Sequence, residues 1–181
     1  MKPAVLVIDV QAALFDPQPR PFDAQSVIVR INAVTQWARN EGYPVIFIQH
    51  DEPGTVISLE SNGWQLQSDL HITDRDHRIN KQTPDSFLRT PLHPLLEQLE
   101  VSQLIVCGYA TEFCVDTTTR RAAGLGYPVT LIADAHTTHD KTHASGEVIR
   151  QHHNATLPSI GSFGVTIKAV PTAQLIGNNV R

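Results

Sequence analysis

Only two cysteines, Cys107 and Cys114, occur in the 181 residues, too close in sequence to build a disulfide framework. Basic residues are in the minority: 14 Lys and Arg stand against 18 Asp and Glu, for a net charge of −4. That balance gives no electrostatic case for binding nucleic acid or an anionic membrane surface. Long apolar runs are missing, and none approaches the roughly 18 residues that cross a bilayer. The start, MKPAVLVIDV, lacks the length and small-residue cleavage site of a signal peptide and reads as a strand. With so little cysteine, a reducing cytoplasm is expected. Repeats, low-complexity tracts and linkers are also lacking, so one domain is expected over residues 1–181. No glycine-rich phosphate turn follows the first strand, which continues Asp9-Val10-Gln11-Ala12-Ala13, so a dinucleotide-binding module is disfavoured.

Short apolar runs alternating with helical spacings are present. Residues 4 to 8 (AVLVI), Pro44 to Gln49, Leu104 to Cys107, Pro128 to Ala133 and Gly164 to Val170 read as strands, and a weaker one runs from His77 to Lys81. Continuous apolar runs suit strands buried on both faces. Helices are expected over Asp23 to Asn40, Pro91 to Leu99, Thr111 to Ala123 and His143 to Ala155. Between Asp51 and Asp76 lies a polar, turn-rich excursion with room for a short helix. This alternation predicts an α/β fold: a doubly wound, mostly parallel sheet of about six strands with helices on both faces. Ligands of such sheets gather outside the carboxyl ends of the strands. Asp9, Gln49-His50-Asp51, Lys81, Gly108-Tyr109-Ala110 and Asp134 are therefore expected at one rim.

The stretch Gln103 to Arg120 (QLIVCGYATEFCVDTTTR) has the most chemistry. A strand meets Gly108, and Cys114 falls in the first turn of the helix that follows. Free N–H groups and the positive end of the helix dipole favour a thiolate there. Thr111 is a candidate N-cap. A small buried hydrophobe is the plainer reading of Cys114, as a surface amine is of Lys81 and a loop carboxylate of Asp9.

Four features together resemble the isochorismatase-like cysteine hydrolases. They are Ile8-Asp9-Val10-Gln11, Lys81 to Phe87 followed by Thr90-Pro91-Leu92, Gly108-Tyr109-Ala110-Thr111-Glu112-Phe113-Cys114-Val115, and Asp134-Ala135. The resemblance implies an Asp9–Lys81–Cys114 triad, with the N–H groups of Ala110 and Cys114 as oxyanion hole and a cis peptide at Tyr109–Ala110. It also implies a small-molecule substrate with an amide-type C–N bond, cleaved through a Cys114 thioester, and a homodimer or homotetramer. Gln11, Phe15, Trp64, Phe87 and Tyr109 are the expected substrate contacts, with Trp64 in its own or a neighbouring subunit. Which substrate is left open, as are nicotinamidase-type or isochorismatase-type chemistry, a thiol redox role and a non-catalytic binding role.

No cofactor and no metal are expected. Nicotinamidases bind a metal through Asp-x-His after the second strand, where this chain has Gln49-His50-Asp51-Glu52. His71 and His77 remain conceivable ligands, and whether they or His50 ever bind a metal is left open. His136, His139 and His143, with Thr137, Thr138 and Asp140 among them, are read as structural. His152 and His153 are read as packing or capping, and Cys107 as core.

Overall fold

The computed structural model describes residues 1–177. Strand β1 (Pro3–Ile8) is buried along its whole length. Ala4, Leu6 and Ile8 enter one core while Val5 and Val7 enter another, because successive strand residues point to opposite faces. A strand covered on both sides therefore needs apolar residues at every position. Helix α1 (Ala12–Phe15) follows at once, and α2 (Ala24–Asn40) then lays Val27, Ile28, Ile31, Val34 and Ala38 against the sheet. Each large side chain in that stripe contributes about 1.5–3 kcal/mol relative to exposure.

The remaining strands are β2 (Val45–His50), β3 (His77–Lys81), β4 (Gln103–Tyr109), β5 (Val129–Thr137) and β6 (Ile167–Val170). All pairings are parallel, in the order β3-β2-β1-β4-β5-β6. The winding reverses between β1 and β4, and a crevice opens there at the carboxyl ends. Between the strands lie α3 (Leu92–Gln98), a π-helical turn over Thr111–Val115 that runs into α4 (Asp116–Gly124), α5 (Gly146–Ser159) and a 3₁₀ turn at Gly161–Phe163, and α6 (Thr172–Gly177) follows β6. Among the described residues no helix is long and apolar enough to cross a membrane.

Several elements depart from the sequence reading. No helix forms in the Asp51–Asp76 excursion, which is a chain of turns. Asp51 organises it instead, accepting from the Leu59 N–H and the Gln82 amide, each at 2.8 Å. Strand β5 runs on to Thr137 because its register slips: Val106 faces Leu131 while Gly108 faces His136. Its second half is polar yet buried, so the end of the apolar run does not mark the end of the strand. Helix α5 begins at Gly146, not His143, where Ser145 accepts from the Val148 N–H at 3.3 Å. Helices α1 and α6 have no counterpart in the sequence reading.

Candidate active site

Three chain segments deliver the central groups. Asp9 stands just past β1 with a φ of 51°, a left-handed conformation that non-glycine residues adopt mainly where the surroundings enforce it. Its N–H is tied to the Ile48 carbonyl at 2.9 Å. Lys81 is the last residue of β3, paired in register with His50, the last residue of β2. Cys114 sits on the π-helical turn beyond β4. Its approach is shaped by Gly108, with a φ of +118°.

The Lys81 side chain is fully buried and that of Asp9 is 2% exposed. The Lys81 ammonium donates to Asp9 Oδ2 at 2.7 Å and to Cys114 Sγ at 3.2 Å, and it stands 3.0 Å from His50 Nδ1. Three N–H groups thus meet three acceptors. Asp9 Oδ1 is buried and has no hydrogen-bond partner among the described residues. Cys114 keeps 9% of its surface open. Burial pushes its thiol up to about 12, with the Asp9 carboxylate adding to the rise and Lys81 opposing it. Burial thus works against the thiolate that a helix start favours, and Lys81 works for it.

The other anticipated residues divide. Gln11 is fully buried, and its amide is committed to the main chain. Nε2 donates to the carbonyls of His50 and Trp64 at 2.9 and 3.0 Å, and Oε1 accepts from the His50 N–H at 2.8 Å. It clamps the excursion to the sheet and has no donor left for a substrate. Phe15 is buried edge-on against Tyr109, at 5.8 Å between ring centroids. The Tyr109 hydroxyl meets His139 Nδ1 at 2.8 Å. Phe87 is 7% exposed and packs with Tyr127 and His93. Trp64 is partly exposed, and its indole N–H donates to Asn80 Oδ1 at 3.2 Å, beside Lys81. The Tyr109–Ala110 peptide is cis, and the Ala110 carbonyl accepts from Phe113 and Val115.

Thr111 does not cap the helix; its hydroxyl meets His136 Nδ1 at 2.9 Å, and His136 Nε2 meets Asn154 Oδ1 at 2.9 Å. Asp134 is not brought to the triad either. Lying in the slipped part of β5, it accepts from the Thr172 N–H and hydroxyl at 2.8 and 2.7 Å. Cys107 is fully buried and, away from any charge, is raised to about 12 by burial alone.

The sequence places His50 at the same rim but does not pair it with Lys81. Its signal was available only through strand register, which puts the ends of β2 and β3 side by side. Burial and the neighbouring ammonium lower its pKa from the usual 6.5. Ligand atoms of Asp9, His50 and Cys114 lie within 4.8 Å of one another, and a carboxylate, an imidazole and a thiol would suit zinc. The Lys81 ammonium, however, already stands between them as a built-in cation, so the residues do not fit a resident metal. His77 opens β3 at the other end from Lys81, about 13 Å away along the strand. His71 is exposed on the excursion.

A buried carboxylate and a thiol 9% exposed are bridged by one ammonium at the reversal point of a parallel sheet. The Isochorismatase domain family matches residues 3–157, and the chain belongs to that family. Two streptothricin hydrolases of Streptomyces noursei are similar: one is 37% identical over 138 residues, the other 38% over 144. These matches cover 76% and 79% of this chain but 50% and 57% of those proteins, so the chain spans about half their length. An uncharacterized isochorismatase family protein of Bacillus subtilis, YrdC, is 30% identical over 136 residues, covering 74% of this chain and 73% of its own. A crystal structure of an isochorismatase family protein superimposes with a TM-score of 0.85 at 32% identity, over 93% of this chain and 97% of that one. An isochorismatase from Pseudomonas putida KT2440 gives 0.84 at 27%, over 95% and 89%.

Proposed function

We propose that this chain is a cysteine hydrolase that cleaves an amide-type C–N bond of a small molecule, with Asp9, Lys81 and Cys114 as its catalytic triad. One observation carries the reading: a single buried ammonium touches both Asp9 Oδ2 and Cys114 Sγ while Asp9 Oδ1 stays unpartnered. Oδ1 is then the base that accepts the thiol proton as Sγ attacks the carbonyl carbon. The C=O π electrons move onto oxygen, and the N–H groups of Ala110 and Cys114 hold that charge. One such donor is typically worth about 10² to 10³ in rate. Asp9 next returns the proton to the departing nitrogen as the C–N bond breaks, leaving a Cys114 thioester. A water molecule, giving its proton to Asp9, hydrolyses the thioester to the acid and restores the thiol. Lys81 holds the carboxylate in place and offsets the charge that appears on sulfur.

The streptothricin hydrolase relatives make streptothricin the first amide to test, beside nicotinamide and carbamoyl amines, with release of ammonia or amine as the readout. Replacing Cys114 by serine is expected to lower turnover by about 10³-fold or more and to abolish a trapped acyl adduct on the Cys114 peptide. Turnover unchanged in that variant would end this reading. We further infer a homodimer or homotetramer, supported by Phe113 and Leu88, which are 55% and 45% exposed near the site. Light scattering tests it. A reducing cytoplasm fits the two free thiols.

A further inference from the structure

We propose that His50 is a positioning residue, whose neutral imidazole accepts from the Lys81 ammonium through Nδ1 and so fixes that ammonium between Asp9 and Cys114. A fully buried ammonium has three N–H groups to satisfy, and leaving one without an acceptor is costly. Asp9 Oδ2 and Cys114 Sγ take two, at 2.7 and 3.2 Å. The third acceptor is His50 Nδ1 at 3.0 Å. Without it the ammonium is free to turn toward Asp9 and away from sulfur.

The main chain presents this ring rigidly. His50 and Lys81 are register partners at the ends of β2 and β3. Gln11 grips His50 from both sides, accepting from its N–H at 2.8 Å and donating to its carbonyl at 2.9 Å. The contact also sets the ring's proton, because Nδ1 must be bare to accept and the hydrogen therefore sits on Nε2. A doubly protonated ring would aim N–H at the ammonium. The charged and titratable groups around His50 are Lys81 from β3, Asp9 from the end of β1, Asp51 and Glu52 from the segment after β2, and Cys114 from the π-helical turn. Burial and Lys81, the two largest influences, both disfavour the second proton.

The test compares wild type, His50→Leu and His50→Asn in the full chain, by the rate at which iodoacetamide alkylates Cys114 between pH 6 and 10. Cys107, fully buried, is the unreactive internal control. Asparagine keeps an acceptor near the place of Nδ1 but cannot titrate; leucine keeps bulk alone. His50→Leu is expected to slow alkylation at pH 8 by about 10-fold, the scale of a hydrogen bond to a charged group, and to stay slower than wild type across the whole pH range. His50→Asn is expected to restore the rate to within a few-fold. In amide hydrolysis the leucine variant should lose kcat with little change in KM. A leucine variant with the wild-type rate and pH profile would overturn the proposal, as would leucine and asparagine variants that are equally slow. Only the kinetic arm rests on the hydrolase reading. Slowed alkylation in the leucine variant, with no amide turnover in any of the three proteins, would strike that reading and leave the role of His50 standing.

Discussion

Gly108 lies so close to Ile8 that a β-carbon on it would fall 2.1 Å from the Ile8 carbonyl oxygen and 2.6 Å from the Ile8 nitrogen. The close approach brings the end of β4 against the end of β1, immediately before Asp9. It also needs a φ of +118°, which side chains other than glycine resist. Gly108→Ala must therefore force main chain apart, not merely move a flexible side chain. The expected cost is roughly 3 kcal/mol or more, at the upper end for single substitutions. Urea unfolding measures it, and a loss below 1 kcal/mol would mean that the two strands yield easily.

Much of this was legible in the sequence because strand ends carry the chemistry. Asp9 directly follows a plainly apolar strand run, Lys81 ends a weaker one, and Cys114 follows the glycine that closes a third. What stayed hidden depends on long-range pairing. The contact of His50 with Lys81 follows from the β2–β3 register, and the diversion of Asp134 to Thr172 follows from a register slip in β5. The Thr111 hydroxyl reads locally as a cap, yet a histidine 25 residues on claims it. Gln11 reads as a substrate contact until the excursion folds back over it and takes up its amide. The raised Cys114 thiol was likewise invisible, since its largest cause is burial, which no local pattern reports.

Gln11 tests how far the excursion supports the site. Gln11→Leu keeps similar bulk but removes the side-chain partner of the His50 carbonyl and N–H, while the Trp64 carbonyl keeps only Gln49. Each orphaned buried group costs about 1–3 kcal/mol, so a loss of about 3 kcal/mol is expected. The released His50 backbone should also lower kcat, whereas a direct substrate contact would raise KM and leave stability nearly unchanged. Steady-state kinetics beside urea melts separate the two outcomes.

His136 makes acid stability predictable in sign. It is fully buried, and burial, the largest cause, lowers its pKa from 6.5 to about 4. The unfolded chain thus takes up a proton as pH falls through 6.5, while the folded chain resists until about 4. Stability from this group is complete above pH 6.5 and declines between 6.5 and 4, by about 3 kcal/mol in all. His136→Gln is expected to be less stable at pH 7.5, since Thr111 and Asn154 lose a partner. Its further loss on going to pH 4.5 should be smaller than the wild type's by most of that amount. Equal losses in both proteins would place the acid sensitivity elsewhere.

Lys81 and Asp9 are both buried, so the pair should behave as a unit. Lys81→Met removes the ammonium at nearly constant volume and strands a carboxylate in the interior. Breaking a buried pair in this way costs about 3–5 kcal/mol, whereas replacing both charges costs much less. Asp9→Asn combined with Lys81→Met should therefore regain at least half of the stability lost by Lys81→Met alone, with no turnover expected from either protein under the proposed triad. The coupling is read from a double-mutant cycle in urea, completed by Asp9→Asn. A double variant no more stable than Lys81→Met would show that the ammonium acts mainly through its packing, and that the close approach of its nitrogen to Asp9 carries little energy. In the expected case, the two residues proposed to activate the thiol also depend on each other to stay folded as charges, in keeping with an ammonium enclosed by partners on three sides.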